Sequence, residues 1–189
     1  MNLPPLLLLT DRSQLPAGRS LERTVSLCAS AGLAVVVLRE LDLPERERAE
    51  LAAELARHVT VISARTSLPA TAGVHLAAHQ PVVAARHGRS CHDESQLRQA
   101  VSGGAAWVTL SPVAASPSKP GYGPVLGIDG VARLAPAAAG VPVYALGGID
   151  ATNAADFQTA GAHGVAVMGA VMRADDPAAV VERLLGAVA

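Results

Sequence analysis

Two kinds of segment alternate along the chain: short apolar runs, and longer stretches whose apolar positions recur every three or four residues. The first kind reads as buried strands and the second as amphipathic helices. Their regular alternation predicts repeated βα units around a parallel sheet. Strands are predicted over 6–10, 33–38, 59–62, 73–76, 84–91, 106–110, 141–146 and 165–168. Helices are predicted over 20–31, 45–57, 93–101, 128–139, 151–159 and 177–187. Ser20 caps the first helix, with Val25, Leu27 and Cys28 facing inward and Glu22 and Arg23 outward, and Gly32 ends it. Leu51 and Leu55 are the core positions of the second. Eight strands predict a closed (β/α)8 TIM barrel, compact, with residues 1–189 as a single domain.

Composition sharpens this. Half the residues are hydrophobic, yet the only aromatics are Trp107, Tyr122, Tyr144 and Phe157. An apolar mass of Ala, Val and Leu suits the stacked interior layers of a parallel barrel. The formal net charge is −1, with no basic block, so no nucleic-acid partner and no membrane surface is expected. Cys28 and Cys91 lie far apart and form no metal-spaced pair, so both read as buried small hydrophobes. The apolar run after Met1 lacks a basic start and is too short for a signal or a span, which predicts a cytoplasmic protein.

Candidate chemistry gathers where strands end. Leu146-Gly147-Gly148 and Met168-Gly169-Ala170 close two consecutive predicted strands. Turns without bulky side chains leave backbone N–H groups open to an anion, so Gly147, Gly148, Gly169 and Ala170 are candidate phosphate-binding residues. The loop over 111–127 is rich in proline and glycine and carries Ser116, Ser118 and Lys119, which with Arg39 form a candidate anion rim. Arg65, and Arg89 with His92, also fall at predicted mouth positions, where each charge alone reads as solvated. His75 reads as a hydrogen-bonded core histidine and His163 as a surface residue.

Taken in order, several segments resemble the thiamine phosphate synthase/TenI family. They are Leu8-Leu9-Thr10-Asp11-Arg12, Val36-Val37-Leu38-Arg39-Glu40, Gly73-Val74-His75-Leu76, Gly88-Arg89-Ser90-Cys91-His92, the loop over 111–127, Ala145-Leu146-Gly147-Gly148-Ile149 and Gly161-Ala162-His163-Gly164-Val165. The resemblance implies a role in thiamine biosynthesis. In the synthase it would put Ser116, Ser118, Lys119 and Arg39 on the pyrophosphate of an aminopyrimidine substrate and Gly147 and Gly148 on thiazole phosphate. The chain also departs from the synthase pattern. Val37-Leu38-Arg39-Glu40-Leu41 stands for Gln-x-Arg-Glu-Lys, Ser63-Ala64-Arg65 for Asn-Asp-Arg, and Ala78-His79-Gln80 for Gln-Glu-Asp. The two aspartates implied as Mg²⁺ ligands are thereby absent. TenI-type relatives also lack them, and Gly88-Arg89-Ser90 with His92 resembles theirs, although Pro112 stands where TenI carries a histidine.

The expected function is therefore a TenI-like barrel that binds a thiazole phosphate or similar phosphorylated heterocycle and performs a metal-free proton transfer of the thiazole tautomerase type, with His92 as the candidate acid–base group. No metal site and no cofactor is expected on this reading. One alternative is a thiamine phosphate synthase, which would bring in Mg²⁺. The other is a non-catalytic phosphate-ligand-binding or regulatory relative. A homo-oligomer stays open.

Overall fold

A computed structural model describes residues 3–116, 121 and 123–188. Eight parallel strands close into a barrel in chain order: β1 (Leu6–Leu9), β2 (Val35–Leu38), β3 (Thr60–Ala64), β4 (Val74–Leu76), β5 (His87–Cys91), β6 (Trp107–Leu110), β7 (Val143–Leu146) and β8 (Gly164–Val167), with β8 pairing back to β1. The helices are α1 (Leu21–Ser30), α2 (Glu45–Leu55), α3 (Glu94–Ser102), α4 (Gly127–Leu134), α5 (Ala154–Thr159), α6 (Gly169–Met172) and α7 (Pro177–Ala187). The predicted (β/α)8 architecture is the one formed.

Successive Cβ atoms point to opposite faces of a strand, and both faces here are covered, so the strands are apolar throughout. Leu7, Leu9, Val35, Val37, Ile62, Ala64, Trp107, Tyr144 and Ala166 point into the barrel. Leu6, Leu8, Val36, Leu38, Val61 and their counterparts on other strands meet the helices. Trp107 is large for such an interior, and β5 makes room for it. A Cβ added at Gly88 would lie 2.0 Å from Trp107 Nε1. Tyr144 fills the same interior and donates its hydroxyl proton to the Pro4 carbonyl at 2.6 Å.

Local signals placed most elements. Ser20 caps α1 by accepting from the Arg23 N–H, and Asp93 and Asp176 cap α3 and α7 in the same manner. Cys28 and Cys91 are fully buried, and burial pushes both thiols up to about 12. Leu27, however, is 40% exposed; the inward face of α1 is Leu21, Thr24, Val25 and Cys28.

The third and fourth crossings differ from the rest. Residues 65–73 and 77–86 link β3 to β4 and β4 to β5 with no helix. The strand predicted over 84–91 begins only at His87, and the apolar residues before it belong to a loop in which Val82 and Val83 are about half exposed. Arg89, expected to be solvated, is buried. Its guanidinium donates to the carbonyls of Ala77, Ala78 and Gln80 at 3.0, 3.0 and 2.7 Å, holding the loop against the outside of the barrel.

Candidate active site

The C-terminal ends of the strands open into a cavity of about 800 Å³, within the range of small-molecule sites. Of the residues singled out from the sequence, Arg39, His92, Ser116, Gly147, Gly148, Gly169 and Ala170 line it. Ser118 and Lys119 lie outside the described residues. Arg65 lines it as well. Sequence reasoning missed Arg173, Arg183, Asp150 and Ser90 as lining residues, and took His75 for a core residue only. Neither Arg173 nor Arg183 sits in a motif; α6 and α7 bring them over the rim. A shallower depression at the opposite end, beside Pro136, Gly140 and His163, offers one titratable side chain.

The two glycine turns have distinct reasons for being bare. Gly147 and Gly148 adopt φ of 107° and 66°, a region that disfavours other residues. A Cβ at Gly148 would lie 2.3 Å from the Ala115 carbonyl oxygen, so this glycine also lets the loop after β6 rest on the turn after β7. That contact is sealed by the Val113 and Ala114 N–H groups, which donate to the carbonyls of Leu146 and Gly147 at 3.0 Å each. At Gly169 the neighbour is a side chain: a Cβ there would meet the Arg173 guanidinium at 2.2 Å. Arg173 therefore lies flat on the start of α6, where it also donates to the Gln14 side chain. Among the described residues, the N–H groups of Gly147, Gly148, Gly169 and Ala170 make none of the turn, loop or cap hydrogen bonds.

Cationic side chains also line the cavity after β2 and β3. Arg39 is anchored by its backbone N–H on Thr10 Oγ1 at 3.0 Å, and its guanidinium rests on Met168 Sδ at 2.7 Å. A thioether is a weak acceptor, so the charge is little compensated. Arg65 takes a left-handed φ of 68°, a conformation costing roughly 1–2 kcal/mol. It is held there from both sides: its N–H donates to the His75 carbonyl at 2.9 Å, and its carbonyl accepts from Gln80 Nε2 at 2.5 Å. Among the described residues Asp150 is the one acid on the lining, with Arg39, Arg65, Arg173 and Arg183 set against it. It is spent on its own turn: hydrogen bonds from the Thr152 hydroxyl and N–H hold its carboxyl below the ordinary value.

Two histidines face the cavity with opposite polarity. The His92 Nδ1 stands 2.7 Å from the Ser111 carbonyl. A carbonyl only accepts, so the ring proton sits on Nδ1 and Nε2 is left as a base. His75 is buried on the barrel floor, where it meets Trp107, Ser90 and Thr109.

The donor set does not fit a divalent cation. Among the described residues no three His, Cys, Asp or Glu side chains are grouped to hold one. At the ends of β3 and β4, where the family resemblance puts carboxylates, stand Ala64 and Gln80. The Gln80 amide turns its N–H towards the Arg65 carbonyl, and the Arg65 guanidinium adds a positive charge. Mg²⁺ requires hard, anionic oxygens at such a position.

The thiamine monophosphate synthase family pattern matches residues 6–171. A protein of Geobacter sulfurreducens named as a putative thiamine-phosphate synthase is 38% identical over 190 residues, covering 91% of this chain and 88% of that relative. A thiamine-phosphate synthase of Chloroflexus aurantiacus is 34% identical, covering 95% and 90%. Among solved structures, a thiamine phosphate pyrophosphorylase from Pyrococcus furiosus superposes with a TM-score of 0.84 at 24% identity, over 97% of this chain and 94% of that one. A 3-hexulose-6-phosphate synthase shares the fold at a TM-score of 0.70 and 18% identity, over 98% and 100%.

Proposed function

From the premise that the chain belongs to the thiamine monophosphate synthase family, we propose that it is a transferase of thiamine biosynthesis joining an aminopyrimidine pyrophosphate to a thiazole phosphate. The TenI-like proton transfer expected from the sequence gives way here, because the relatives carry the synthase name. The observation that supports the reading is one cavity lined both by backbone N–H groups after β7 and β8 that make no turn, loop or cap hydrogen bond and by arginines after β2 and β3. The thiazole phosphate takes the first side, at Gly147, Gly148, Gly169 and Ala170. The pyrophosphate takes the second, at Arg39 and Arg65, and the family resemblance adds Ser116, Ser118 and Lys119 as its ligands.

The chemistry asks little of the protein beyond charge and position. The bond from the pyrimidine methylene carbon to the diphosphate oxygen breaks, and the electron pair leaves with the diphosphate. The thiazole nitrogen lone pair then forms the new carbon–nitrogen bond. Charge grows on the leaving diphosphate, and fixed guanidinium groups in a partly dry cavity offset it.

Incubating the protein with both substrates, with Mg²⁺ and with a chelator, and following thiamine phosphate and released pyrophosphate tests the reading. We expect turnover that survives the chelator. Binding of both ligands with no thiamine phosphate under either condition would sink the transferase and leave a non-catalytic ligand-binding relative. The phosphate side has its own test in Ala170→Asp. Ala170 is a helical residue in the first turn of α6, so the acid is compatible with folding. A like charge about 4 Å from the phosphate costs about 4 kcal/mol near a surface, and thiazole phosphate affinity should fall at least roughly a hundredfold.

One observation favours a second reading: the His92 Nε2 base beside the cavity suits proton transfer on a thiazole carboxylate phosphate. Deuterium exchange into that substrate, lost in His92→Gln, would support it.

A further inference from the structure

We propose that Met168 is an oxidation site controlling the cavity mouth: a peroxide converts its thioether to a sulfoxide, whose oxygen captures the Arg39 guanidinium and withdraws it from anionic ligands. The inference rests on the reading of Arg39 as a pyrophosphate-holding residue and adds a covalent control of that residue.

The contact is set by the fold. Met168 lies between the end of β8 and the first turn of α6, where its carbonyl accepts from the N–H groups of Val171 and Met172 at 3.1 and 2.9 Å. Arg39 follows β2 and is tied by its backbone N–H to Thr10 Oγ1 at 3.0 Å. Between those two strands runs β1, which pairs with both. The guanidinium reaches across the end of β1 to the Met168 sulfur at 2.7 Å. Both side chains are half-buried and line the cavity, so a small oxidant reaches the sulfur from solvent.

Peroxides ordinarily find thiolates first. Here Cys28 and Cys91 are fully buried and their thiols are pushed up to about 12, so almost no thiolate exists at neutral pH. A thioether has no proton to lose and needs no such activation. Met172 is fully buried. Among the described residues, Met168 is therefore the one sulfur that faces open space.

With hydrogen peroxide the step balances as follows. A sulfur lone pair attacks one peroxide oxygen, and the O–O bond breaks as the S–O bond forms. The departing hydroxide takes the proton of the transferred hydroxyl and leaves as water. Sulfur gives up two electrons, and the peroxide takes them. The product changes what Arg39 meets. A thioether is a weak acceptor, whereas the sulfoxide is polar and carries a partly negative oxygen. That oxygen arises beside a guanidinium already in contact with the sulfur. Arg39 then has a fixed partner, which a ligand anion must displace.

The first readout needs no ligand. Graded hydrogen peroxide followed by peptide mass mapping should modify Met168 before Met172 or either cysteine. Earlier modification of any of those three would overturn the proposal. In protein labelled with ¹⁵N-arginine, one guanidinium signal should move on oxidation, stay unmoved in peroxide-treated Met168→Leu, and be missing from Arg39→Gln. Full oxidation of Met168 with no guanidinium signal displaced would refute the capture.

The second readout is calorimetric, with inorganic pyrophosphate as the probe. Oxidation of the wild type should weaken its binding about tenfold, and a pair of methionine sulfoxide reductases should restore it. Met168→Leu, judged against its own untreated affinity, should not change with peroxide. Unaltered affinity in fully oxidised wild type would refute the control of ligand binding. Failure of the probe to bind the untreated wild type would instead strike the role of Arg39 in the transferase reading, and the guanidinium spectrum would then decide the capture alone.

Discussion

In the folded chain His75 stays neutral down to about 4, because burial and the charges of Arg89 and Arg39 oppose its protonation. In the unfolded chain it titrates near about 6.5. Below that value the unfolded chain takes up a proton that the folded chain refuses. The stability linked to this ring is therefore complete above about pH 6.5 and is lost as the pH falls from there to about 4, by on the order of 3 kcal/mol. Denaturant titrations at several pH values should show this slope, and His75→Gln should flatten it. The glycines make a second residue-scale case. From sequence alone Gly148 reads as a bare approach for phosphate, but its φ of 66° and the Ala115 carbonyl 2.3 Å from its missing Cβ are backbone demands. Gly148→Ala should lower stability by about 1–3 kcal/mol with no ligand present, measured by chemical denaturation. An unchanged midpoint would mean that the loop after β6 yields. A sequence states that a residue is small; only the neighbour across the gap states why.

At the scale of elements, legibility followed local signals. Ser20 before α1 and Pro177 opening α7 gave boundaries that the structure keeps, because a cap acts within its own turn. The single turn of α6 passed unseen, being too short to show periodicity, and Arg173 went with it. The strand over 84–91 was drawn too long because Ala84 and Ala85 look like strand to a pattern that cannot sense exposure. Arg89 was misjudged for the converse reason. Its three carbonyl partners lie nine to twelve residues upstream, in the loop that leads into β5, and no local pattern announces that the loop folds back onto the strand. Arg89→Met keeps the aliphatic stem and orphans those carbonyls. We expect a loss of about 2–4 kcal/mol, with new protease cleavage confined to residues 77–86. Cleavage elsewhere, or none, would show that the guanidinium does not hold the loop.

On the scale of the whole molecule, the mouth keeps arginines that the family resemblance also implies, Arg39 and Arg65, without the two carboxylates implied beside them, and Ala64 with Gln80 marks the difference. The wild type should bind no Mg²⁺ in the micromolar range by titration calorimetry, whereas Ala64→Asp combined with Gln80→Asp should create such binding; micromolar binding by the wild type would contradict this account. The closed barrel itself was legible because eight repeats of one period reinforce each other, which a lone motif cannot do. The same count of repeats conceals that two of them lack their helix. Between β3 and β5 the wall is a strand layer backed by irregular chain, with Arg89 as its clasp. Cooperative units in a protein follow packed supersecondary blocks, so this sector should open on its own, ahead of global unfolding. Its amides would then exchange with deuterium sooner than those of β1, β2 or β8. Early exchange there would make this ring of eight strands a spring clip rather than a rigid tube, expected to widen at Arg65 while the glycine turns opposite stay still.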